Sequence, residues 1–105
     1  MSLSKETRDI VKNTIVARVD KVFASLFPGC GVDSTTVGID EEFLEALIDD
    51  HYLGLFTEAE VTEMAAYQTK FADRANLLEQ RLETAMGAVV EENHKAIIAK
   101  VEAAQ

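Results

Sequence analysis

The chain has 105 residues, enough for one domain with one hydrophobic core, and 48% of them are apolar, which excludes a disordered chain. Ten Lys+Arg against 19 Asp+Glu give a net charge of −9, which argues against binding a nucleic-acid phosphate backbone. A single cysteine excludes an internal disulfide, and no apolar run approaches the ~18 residues of a transmembrane helix.

Met1-Ser2-Leu3 has the look of an expression-vector remnant, which would leave any native leader upstream. Ser4 to Phe27 reads as the first helix, with Ser4 as its N-cap. Val11, Ile15, Val19, Val22 and Leu26 recur at steps of four and three as one apolar stripe, widened by Ile10 and Phe23. Pro28-Gly29 stops that helix and opens a loop from Pro28 to Gly38, rich in Gly, Ser and Thr. Ile39 to Leu53 reads as the second helix. Asp40 stands at its N-cap, Ile39 and Leu44 at hydrophobic-staple positions, and Gly54 at its C-terminal cap. Its apolar face is Phe43, Leu44, Leu47, Ile48 and Leu55.

Thr57-Glu58-Ala59-Glu60 is a capping box that opens a third helix, with Phe56 and Val61 as the staple. Apolar or small residues then recur at heptad-like spacing: Val61, Met64, Phe71, Ala75, Leu78, Leu82, Ala85 and Val89. After Gly87 the phase moves to Val90, Ile97 and Val101, so a fourth helix begins there or the long one bends. The 30 residues from Thr57 to Met86 contain no Gly or Pro. As one straight helix they would span about 45 Å, against a radius of gyration of ~13 Å for a compact domain of this size. Such a helix is broken, or it buries its stripe against another chain.

Charge is unevenly distributed. Val22 to Thr69 holds ten Asp and Glu and no Lys or Arg. This is the pattern of a solvated outer helix face, or of a surface that attracts basic partners or cations.

Few residues carry chemistry. Glu91 and His94 share a helix face, but a bundle di-metal site needs two such pairs and two further glutamates, and His51 has Ile48 three residues before it. Two subunits would supply two copies of Glu91 and His94. Asp49, Asp50 and His51 are sequence neighbours, which do not share a helix face. Asp33 to Leu44 has a glycine at the sixth position of a calcium loop, but Leu44 stands where a bidentate Glu is required. Cys30 lies between two glycines with no basic residue near in sequence to activate it. Tyr52 and Tyr67 suit packing with a hydrated hydroxyl. Phosphate loop, dinucleotide fingerprint and nucleophile elbow are all missing.

Phe56-Thr57-Glu58-Ala59-Glu60 matches an acidic FTxxE helix start, and Tyr67 the tyrosine of an aromatic pair. On these residues the stretch Leu47–Asn93 resembles a bacterial family, domain of unknown function 2059. Thr69-Lys70-Phe71-Ala72 stands where that family has Ser/Thr-Pro-x-Gly, so its usual helix break is missing from the sequence. The resemblance implies a helical fold, frequent export behind a secretion signal, a periplasmic or cell-envelope location, and no established activity.

The sequence therefore predicts an all-α fold: one domain over residues 1–105, a small bundle of three to four helices with a long C-terminal helix or helix pair. The expected function is a non-enzymatic protein-interaction domain that self-associates as a homodimer, with Phe71, Leu78, Leu82 and Val89 as interface residues. No cofactor, catalytic residue or metal ligand is assigned. One alternative is a metal-dependent enzyme that shares Glu91 and His94 between subunits. Another is a pocket for a small apolar ligand between the first helix and the second and third.

Overall fold

The computed structural model describes residues 3–52, 56–57, 59–60 and 72–105. Among them lie α1 (Lys5–Leu26), α2 (Glu41–Leu47), a π-helical turn (Ile48–Tyr52), α3 (Ala72–Glu92) and α4 (His94–Ala103), and no strand. The fold is all-α, a small helical bundle that ends in a helix pair.

Ser4 caps α1 as expected, accepting a hydrogen bond from the Thr7 amide at 3.3 Å. The buried side of α1 starts with Thr7, Val11 and Ile15 and continues to Phe23, with Val19 and Phe27 partly buried against the same core. The stripe expected to end on Val22 and Leu26 turns the other way. Val22 is exposed, as is Ile10, and Leu26 is 62% exposed. Steps of four advance about 40° around a 3.6-residue helix. The buried line Thr7, Val11, Ile15, Val19, Phe23, Phe27 therefore winds around α1, and different neighbours cover it along its length.

The loop after Pro28 is a built part of the core. Val32 and Val37 are buried, each burial worth about 1.5–3 kcal/mol. The Asp33 carboxylate accepts from the Thr35 and Thr36 amides at 3.0 and 3.2 Å. The Ser34 amide donates to Asp20 of α1 at 2.7 Å, which ties the loop to the helix it follows. Gly38, at φ +72°, makes the left-handed turn into α2, a conformation that disfavours a side chain.

Asp40 caps α2, accepting from the Phe43 amide at 2.9 Å. The second helix was expected to run to Leu53. Instead the α-helix ends at Leu47 and widens into the π-helical turn. The wider turn keeps Ile48 and Tyr52, four residues apart, on one buried line behind Leu44. Gly54 and Leu55 lie outside the described residues.

The capping box is formed: the Glu60 amide donates to the Thr57 hydroxyl at 3.2 Å, and the Thr57 amide donates to the Glu60 carboxylate at 3.0 Å. The continuity of the helix it opens, with Val61, Met64, Tyr67 and Phe71, lies outside the described residues. Gly87, where the pattern shifts, is helical, and the break comes six residues later at Asn93 (φ −113°, ψ 16°). The Asn93 side chain donates to the Val89 carbonyl at 2.9 Å, closing off the end of α3. The radius of gyration is 15.0 Å within a 46 × 26 × 21 Å envelope, longer and thinner than the ~13 Å expected for a compact chain of this length.

This burial pattern separates two leucines of equal size. Leu78→Ala is expected to lower unfolding free energy by roughly 2–5 kcal/mol, and Leu26→Ala by less than about 0.5, in urea denaturation. Equal losses would place the core on the wrong face of α1.

Candidate functional site

The strongest polar cluster joins α1 to α2. Arg8 reaches Glu45 at 2.5 Å and Asp49 at 2.7 Å. Lys12, only 6% exposed, pairs with Glu41 and Glu45 and lies 3.9 Å from Asp9. These partners raise both basic groups above their ordinary pKa values, and Lys12 with Arg8 lowers that of Glu45. Four carboxylates around two cations leave each cation committed to holding helices, so the cluster reads as a clasp.

Two further pairs link distant segments. Arg18 of α1 makes a bidentate pair with Glu79 of α3, both bonds 2.6 Å. Arg74 grips Glu60 at 2.6 and 3.1 Å while lying 5.4 Å from the Phe56 ring centroid. Arg74 and the Thr57 amide together hold the Glu60 carboxyl at about 2.

Two open hollows remain. The first, of about 520 Å³, lies where the end of α1 meets α4 and is floored by Phe27, Val90, Ile97, Ile98 and Val101. The second, of about 480 Å³, lies between the π-helical turn and α3. Its lining is His51, Leu77, Gln80, Arg81, Thr84, Ala85 and Ala88.

Of the residues singled out in the sequence for chemistry, His94 lines the first hollow and His51 the second. Leu78 is 3% exposed and Val89 8%, and Leu82 is partly buried against the same core. The chain's own helices cover these three side chains, so they close its interior and do not form a free face. Phe71 lies outside the described residues. Glu91 and His94 are both exposed, and the His94 Nδ1 is 2.9 Å from the Glu91 carbonyl, a main-chain contact. Among the described residues, no three His, Cys, Asp or Glu converge as metal ligands, and no helix is long and apolar enough to cross a membrane. Cys30 is partly buried, with its Sγ 3.7 Å from the Pro28 carbonyl.

Sequence reasoning missed the second hollow. Leu77, Arg81, Thr84 and Ala88 share a face of α3 at spacings of four, three and four. That face lies about 100° round α3 from the apolar stripe of Leu78, Leu82, Ala85 and Val89, and Ala85 borders both. No protein-family model matches the chain, and neither a curated protein nor a solved structure is similar to it.

Tyr52 offers a direct check of this packing. Burial pushes its hydroxyl up to about 12, with Glu79 adding to the shift and Arg18 opposing it. A phenol whose folded pKa lies above its unfolded value near 10 stabilises the fold fully below pH 10, and that contribution is lost as pH rises towards 12. Phenolate absorbance is expected to show a late phase near pH 12 that Tyr52→Phe removes. Glu60 has the opposite sign: its contribution is present above the ordinary carboxyl range and lost as pH falls towards 2. In Arg74→Gln its NMR titration midpoint is expected to rise.

Proposed function

We propose that this chain is a non-enzymatic helical interaction module that pairs with a second copy of itself through the apolar groove between α1 and α4. The observation that carries this reading is the groove itself. Five apolar side chains line it, and Ile98 is 49% exposed on a short C-terminal helix. Apolar surface of this kind is costly to leave in water and is the usual material of a protein interface. A two-fold pairing buries the same patch on both copies, which lets one short helix cover another. The interface assigned here lies on α4 and the end of α1, in place of the buried Leu78 and Val89. The resemblance of Leu47–Asn93 to a helical bacterial family without an established activity accords with an interaction role and with an envelope location.

Each copy carries a net charge of −9, so two copies repel at long range. Salt screens that repulsion and leaves apolar burial intact. Light scattering on a sizing column is expected to give a dimer whose dissociation constant falls as sodium chloride is added. Ile98→Glu is expected to give a folded monomer, since the side chain is already half in water. A monomer at all protein concentrations and salt levels would reject the proposal.

A further inference from the structure

Four independent features meet at the second hollow. The first is backbone: the chain leaves α-helical geometry for a π-helical turn at Ile48–Tyr52, a distortion found often at functional sites. The second is an imidazole. The His51 Nδ1 is buried and has no hydrogen-bond partner among the described residues. His51 is half-buried and lines the hollow. The third is a guanidinium. Arg8, Arg18 and Arg74 all make ion pairs, whereas Arg81 has no ion-pair partner among the described residues. The fourth is the floor, where Leu77, Ala85 and Ala88 are apolar and the two alanines leave room.

The one charged group beside that floor, among the described residues, is a donor. Arg81 has only donors and Gln80 contributes an amide N–H₂. Thr84 donates its hydroxyl to the Gln80 carbonyl at 3.0 Å, which fixes its own rotor. Donors around an apolar floor match a negatively charged head on a short hydrocarbon tail. The chain as a whole repels anions, yet among the described residues that line this hollow Arg81 is cationic and none is acidic.

We propose that the hollow between the π-helical turn and α3 is a binding site for a small amphipathic carboxylate. Arg81 pairs with the carboxylate, His51 and Gln80 donate to it, and the tail lies over Leu77, Ala85 and Ala88. This site is separate from the α1–α4 groove, and its occupancy does not depend on self-association.

The test is an amide NMR titration of the whole protein with sodium octanoate, held below its micelle concentration, with 1-octanol and octylammonium as matched probes. Octanoate is expected to saturate and to shift the amides of His51, Leu77, Arg81 and Ala88. Arg81→Gln is expected to weaken it at least tenfold, and Ala88→Phe to abolish it by filling the floor. Both positions are exposed, and circular dichroism checks that the variants fold. Octanoate without saturable shifts would overturn the proposal. So would equal binding of octanol or octylammonium, undiminished binding to Arg81→Gln, or shifts confined to Ile97, Ile98 and Val101.

Discussion

The drift of the buried line around α1 organises the rest of the molecule. A helix whose apolar residues step by four cannot present one flat face, so no single partner covers it. The chain answers with four partners. At the start of α1, α2 closes over Val11 and Ile15, held by Arg8 and Lys12. Midway, the loop is pinned by Asp20 and inserts Val32 and Val37. Also midway, α3 is tied by the Arg18–Glu79 pair, and past the end of α1 α4 approaches Phe27 and donates Lys100 to the Gly31 carbonyl at 3.0 Å.

This arrangement explains the use of charge. Basic residues are few, and three of those on α1, Arg8, Lys12 and Arg18, bind carboxylates that arrive from far along the chain. Exposed ion pairs contribute little singly, but Lys12 sits in the seam, where losing a partner leaves a desolvated charge behind. The acidic middle of the chain is therefore only partly a solubilising surface. Glu41, Glu45 and Asp49 are engaged in the clasp, Glu41 and Asp49 from exposed positions, while Glu42 and Asp50 are exposed outside it.

Local chemistry was legible in the sequence. Ser4, Asp40 and the Thr57–Glu60 box all cap as read, because a capping bond needs only residues three apart. The all-α class and the C-terminal helix pair followed from apolar periodicity. Phase was not legible. Val22 and Leu26 fit a helix face as well as Phe23 and Phe27 do, and only the position of α4 decides between them. Leu78 and Val89, read from the sequence as interface residues, are buried within the chain itself: a stripe shows that a face is buried, without saying by which chain. His51 and Arg81 are thirty residues apart, and only the packing of the π-helical turn on α3 brings them to one hollow.

The break at Asn93 sets how independent the last helix is. One residue outside helical geometry separates α3 from α4, and an i−4 side-chain bond to the Val89 carbonyl caps it. With Asn93 in the α-region, Ala72 to Ala103 would run straight for about 48 Å and carry Ile97 and Val101 away from Phe27. The carboxamide of Asn93 thus fixes where α4 leaves the line of α3 and so which residues of α4 meet Phe27.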